Sequence, residues 1–69
     1  MSHPLIGVTG MWSNRVHGLR RDGNAVSARV LQSIARAGGE PLALFAESAM
    51  DPRERVRRLD GIVIPGGAD

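Results

Sequence analysis

Leu59-Asp60-Gly61-Ile62-Val63-Ile64-Pro65-Gly66-Gly67-Ala68-Asp69 is a short apolar, β-branched run that ends abruptly in a pair of glycines. An uninterrupted apolar run of this kind is how a parallel strand covered on both faces reads in sequence. The glycine pair at its carboxyl end lets the backbone turn tightly at the edge of a sheet. Residues without a Cβ take positive φ at little cost and let another group approach the main-chain N–H groups. The turn therefore either closes the strand and does nothing more, or receives an oxyanion or a phosphate.

Working outward, two more apolar runs match it. Pro4-Leu5-Ile6-Gly7-Val8 is bounded by Pro and by Thr9-Gly10, and Pro41-Leu42-Ala43-Leu44-Phe45 is too short for a helix, so both read as strands. Between them Val26, Val30, Ile34 and Ala37 form one helical stripe, widened by Leu31 and Ala35, with Arg29, Gln32, Ser33 and Arg36 opposite. Asn24 is the predicted N-cap of this helix. Gly38-Gly39 supplies its left-handed stop, and Arg36 in the last turn complements the macrodipole. A second, short helix starts at Ser48 or Asp51 with Pro52 in its first turn, has Val56 and Leu59 as its apolar side, and closes at Asp60-Gly61. Met11 to Gly23 shows no periodicity and is predicted to be a loop.

The order strand, loop, helix, strand, short helix, strand predicts an α/β fold with a parallel sheet and right-handed crossovers. The carboxyl ends Thr9-Gly10, Phe45-Ala46 and Gly66-Gly67 then share one edge, where open α/β sheets bind ligands at a topological switch point. A strand order of 2-1-3 places Thr9-Gly10 beside Gly66-Gly67. Residues 1–69 read as one domain or one part of one.

Composition narrows the function. The 69 residues include no Cys, and His3 and His17 are isolated, so no disulfide, thiolate metal site or His cluster is expected. No signal peptide and no membrane-spanning run is visible, and the chain is expected to be soluble and cytoplasmic. All nine basic residues are Arg, yet the net charge is only +2, and the arginines alternate with acids in Asp51, Arg53, Glu54, Arg55, Arg57, Arg58 and Asp60. That alternation predicts a solvated helix face held by i,i+4 pairs rather than a nucleic-acid surface. With one Trp, one Phe and no Tyr there is no platform for stacking bases. Three strands with one good helix and one short one leave part of the sheet bare, so the isolated chain is expected to unfold with weak cooperativity or to aggregate.

Three separated stretches, Pro4-Leu5-Ile6-Gly7-Val8-Thr9-Gly10, Ala37-Gly38-Gly39-Glu40-Pro41-Leu42 and Leu59 to Asp69, together resemble the opening of the class I glutamine amidotransferase-like hydrolases. The branch they resemble most is the γ-glutamyl-γ-aminobutyrate hydrolase group, peptidase C26. The resemblance implies a parallel sheet of the flavodoxin-like class I glutamine amidotransferase type, of which residues 1–69 are the N-terminal part. It departs from the family at Val30, where an aromatic residue is common, and at Asp69, after which the family motif runs on towards a Pro.

By that resemblance the backbone N–H of Gly67 is an oxyanion donor, Gly66 shapes the turn, and Asp69 either caps the turn or touches substrate. The Cys nucleophile, its His and the acidic partner fall at positions the 69 residues do not contain, and neither His3 nor His17 matches the catalytic His. The chain alone is therefore expected to be inactive. The implied substrate is a small γ-glutamyl amide or glutamine, with no cofactor, no metal, no nucleic acid and no membrane as partner; the oligomeric state stays open. Arg15, Arg20 and Arg21 either meet a substrate carboxylate or are solvated, and Trp12 either lines the pocket or covers the sheet edge.

Two further readings stand beside this one. The first is a glutaminase that passes ammonia to a synthase, and the second a nucleotide-binding α/β module, since Gly7-Val8-Thr9-Gly10 follows a strand. The latter lacks the G-x-G-x-x-G spacing and a helix directly after the glycines.

Overall fold

The computed structural model describes residues 2–13, 18, 20–45 and 49–66. Its elements run β1 (Leu5–Thr9), β2 (Met11–Ser13), β3 (Gly23–Ala25), α1 (Ala28–Arg36), β4 (Glu40–Leu44), α2 (Pro52–Arg57) and β5 (Gly61–Val63). β4, β1 and β5 form a parallel three-stranded sheet in that order, which is the 2-1-3 order with which flavodoxin-like sheets begin. The fold is thus the expected α/β type. β2 and β3 pair antiparallel as a separate ribbon.

Register decides which side chains share a face. Gly7 aligns with Leu42 and Ile62, while Val8 aligns with Ala43 and Val63. In parallel pairs aligned residues point the same way, and neighbours along a strand point oppositely. One face therefore carries Leu5, Gly7, Thr9, Leu42, Leu44 and Ile62, and the other Ile6, Val8, Pro41, Ala43 and Val63. The side chains of Ile34 and Ile6 both lie close to where a Cβ on Gly39 would stand, at 3.0 and 3.2 Å, so α1 covers the Val8 face. On the other face a Cβ on Gly7 would come within 2.7 Å of Leu59 and 2.8 Å of Leu44, which places the α2 connection there. Helices on opposite faces are what right-handed crossovers require when the chain moves outward from β1 to β4 and back past it to β5.

The core is small. Val8, at 0% exposure, is the one fully buried side chain among the described residues, and Leu42, Phe45, Val56, Ile62 and Ile64 all remain exposed.

Helix ends follow local chemistry. α1 stops in a Schellman arrangement: Gly39 N–H donates to Ile34 O at 3.0 Å, Gly38 N–H to Ala35 O at 3.1 Å, and Gly38 takes φ +98°. Its start differs from the sequence expectation. Ser27 occupies the N-cap without a side-chain bond, and Asn24 lies in β3, where it is extended and paired opposite Trp12. Val26 precedes the helix instead of joining its stripe. The stretch expected to be a loop, Met11 to Gly23, thus holds β2 and the first residue of β3, strands of three residues each and too short for an alternation pattern to show.

α2 begins as expected at Asp51, whose carboxylate accepts from the Arg53 N–H at 2.8 Å, with Pro52 following. Asp51→Ala leaves that N–H unpaired and is expected to cost about 1 kcal/mol, the usual effect of losing an N-cap. Chemical denaturation followed by circular dichroism reads it. Glu54 pairs with Arg57 at 3.5 Å and Arg58 at 3.2 Å; both contacts are exposed and each contributes at most a few tenths of a kcal/mol.

Candidate functional site

β1 and β5 are adjacent and parallel, so the chain leaves both at the same edge. Thr9-Gly10 emerges beside Ile64-Pro65-Gly66, with the end of β4 on the other flank, since Thr9 aligns with Leu44. Gly66 is exposed, lies outside the left-handed region, and has nothing within 4 Å of the place a Cβ would occupy. Neither strain nor crowding thus demands glycine there. Its consequence is open space beside Gly66. Gly67 and Asp69 lie outside the described residues, as do Arg15 and His17.

His3 sits at the opposite end of the sheet. Its Nδ1–H donates to the carbonyl of Gly38 at 3.0 Å, which precedes β4. A carbonyl only accepts, so this bond places the ring hydrogen on Nδ1. Arg20 and Arg21 are exposed between the two strands of the ribbon.

The β2–β3 ribbon is folded back onto this edge of the sheet by two residues. A Cβ on Gly10 would stand 2.6 to 2.9 Å from the side-chain amide of Asn24, and that amide donates from Nδ2 to Leu44 O at 3.2 Å. Gly10 is glycine because the Asn24 amide occupies the room a side chain would need. The ribbon thereby delivers Trp12 to Phe45, whose ring centroids are 6.3 Å apart at an interplanar angle of 31°. The indole N–H of Trp12 donates to Asp22 at 3.2 Å. Gly10→Ala is expected to expel the Asn24 amide and lower stability by about 1–2 kcal/mol, from a lost hydrogen bond and local overpacking. The same substitution made on Asn24→Ala should cost much less, and a double-mutant cycle by denaturation measures the difference.

Beneath Phe45 lies a hollow of about 160 Å³ between α2 and the sheet, lined by Thr9, Gly10, Leu44, Phe45, Pro52, Arg55, Val56, Leu59 and Ile62. Its wall is largely apolar, with the Thr9 hydroxyl and Arg55 as its polar side chains. Trp12 does not line it directly; the indole stands beside the Phe45 ring. Neither Phe45 nor Arg55 carries a motif that marks it in the sequence. The visible clue was position alone, Phe45 standing at the carboxyl end of a strand.

No group of three or more His, Cys, Asp or Glu able to hold a metal ion occurs among the described residues. After Gly10 the chain enters β2 and not a helix, so the first glycine turn has no helix N-terminus with which to cradle a pyrophosphate. No helix among the described residues is long and apolar enough to cross a membrane.

A family model for peptidase C26 matches residues 4–69. No curated protein and no solved structure matches the chain.

Proposed function

The chain belongs to the peptidase C26 family, and we propose that it supplies the first strands and the oxyanion turn of a γ-glutamyl amide hydrolase whose nucleophile comes from outside these 69 residues. The supporting observation is the edge itself: the turns that end β1 and β5 adjoin, and at Gly66 the approach to the main chain is open. In the proposed reaction a thiolate attacks the γ-carboxamide carbon. The carbonyl electron pair moves onto oxygen, and the backbone N–H of Gly67 holds that oxyanion. Collapse of the intermediate expels the amine, which takes a proton, and water hydrolyses the acyl-enzyme to glutamate.

In that reaction this chain contributes position and polarity, and its described residues bring no His to the edge. It has no Cys, and His3 is tied to the far end of the sheet. Incubated alone with γ-glutamyl-p-nitroanilide it should release p-nitroaniline no faster than buffer does. A polypeptide that joins these residues to a thiol-bearing strand-to-helix turn and a later His should release it, and alkylating the thiol should stop the release. Amine release by the chain alone, or activity indifferent to thiol alkylation, would overturn the reading.

A further inference from the structure

The lining of the hollow beside the edge bears on which half of such a substrate it takes. A γ-glutamyl group carries an α-ammonium and an α-carboxylate, and an apolar wall disfavours both unless each finds a partner. Arg55 is the charged side chain in the lining, and no carboxylate faces the ammonium from it. The part of a γ-glutamyl amide that can be apolar is its amine. The volume, about 160 Å³, is close to that of an apolar cavity of about 150 Å³ that takes up benzene. A ring or a short alkyl chain therefore fits.

The rings at the rim add a second observation. Trp12 is 60% exposed and Phe45 43% exposed, although Trp12 is held by Asp22 and its ribbon is pinned by Asn24. Large apolar rings fixed in place yet open to solvent form a wall whose ordering cost is met during folding, and such surfaces bind apolar groups with little further entropy loss. We propose that this hollow receives the amine half of a γ-glutamyl amide, and that Trp12 and Phe45 select amines with an apolar body over bare ammonia. The inference rests on the γ-glutamyl reading above and adds the leaving-group preference.

Trp12 is the chain's one tryptophan, so its fluorescence reports on this wall alone. Without a Cys the chain does not turn the ligands over, and equilibrium binding can be read. The 69-residue chain is titrated with γ-glutamyl-benzylamide, with glutamine, which has the same glutamyl half but ammonia as its amine, and with N-benzylacetamide, which lacks the glutamyl half. The expected result is a saturable emission change with γ-glutamyl-benzylamide at concentrations at least roughly tenfold below those for glutamine, the scale of discrimination an apolar pocket gives. Phe45→Ala should erase that ratio and Phe45→Leu should keep part of it, with circular dichroism checking that both variants fold.

Equal concentrations for the benzylamide and glutamine would overturn the amine selection and leave the γ-glutamyl reading standing. Equal potency of N-benzylacetamide and γ-glutamyl-benzylamide would show that the glutamyl half adds nothing to binding by this chain and would overturn the assignment of the hollow to a γ-glutamyl amide, leaving an aromatic-binding hollow. No emission change with any ligand would remove the wall from the site.

Discussion

In a polypeptide that carries these residues within a cooperatively folded domain, Val8→Asp is expected to abolish that fold, seen as loss of the helix and sheet signals in circular dichroism and of dispersion in the amide NMR spectrum. Val8 sits in the middle of β1, the central strand, aligned with Ala43 on one side and Val63 on the other, and is fully buried. A carboxylate there has no partner, and the effective penalty for burying an unpaired ion is several kcal/mol. Domains hold roughly 0.05–0.15 kcal/mol per residue, or about 3–10 kcal/mol for a chain of this length, so a single buried charge consumes most or all of it. Val8→Ala is the graded control. It removes two methyl groups and should cost about 2 kcal/mol, counting about 0.8 kcal/mol for each group together with the cavity left behind. A folded Val8→Asp with an unshifted denaturation midpoint would mean that the stability of the chain resides elsewhere than in the β4-β1-β5 sheet.

The same sheet shows which features were legible in the sequence. Gly38-Gly39 and Asp51-Pro52 were readable because a helix end is a local problem, solved by residues next to one another, and both behave as expected. The parallel α/β architecture followed from three apolar runs separated by helices, whereas the 2-1-3 order entered only as a condition, because crossover handedness alone does not fix which strand lies in the middle. Asn24 was misassigned because its side chain suits an N-cap equally well, whereas its partner, the carbonyl of Leu44, is distant in sequence. Ile64 continues the apolar run yet is 77% exposed, since it lies past the end of β5, whose last register pair is Val63 with Val8. At the candidate site, glycine spelled out the edge and the turn. The meeting of Trp12 with Phe45 was invisible, because it depends on a ribbon held by one glycine and one amide, which no periodicity announces.

Gly67→Val is the second large effect, expected in a polypeptide that carries these residues together with the thiol nucleophile. It should lower kcat about 10²- to 10³-fold, the loss that follows removal of one oxyanion donor, with KM changed little. The asymmetry has a physical cause. The substrate carbonyl is nearly neutral when it binds, and full negative charge on its oxygen appears only as the tetrahedral intermediate forms, so a donor aimed there lowers the barrier more than it tightens binding. A β-branched side chain at position 67 restricts the backbone and fills the approach to its own N–H. Gly66 supplies the control, since its backbone is not left-handed and a Cβ there meets nothing within 4 Å. Gly66→Ala should therefore keep stability within about 1 kcal/mol of the parent or raise it slightly, as Gly-to-Ala changes do where the conformation allows a side chain. Any loss of turnover it causes then measures occlusion of the turn and not damage to the sheet. An unchanged kcat in folded Gly67→Val would take the β5 turn out of oxyanion stabilisation and move the search for the donor to another strand end.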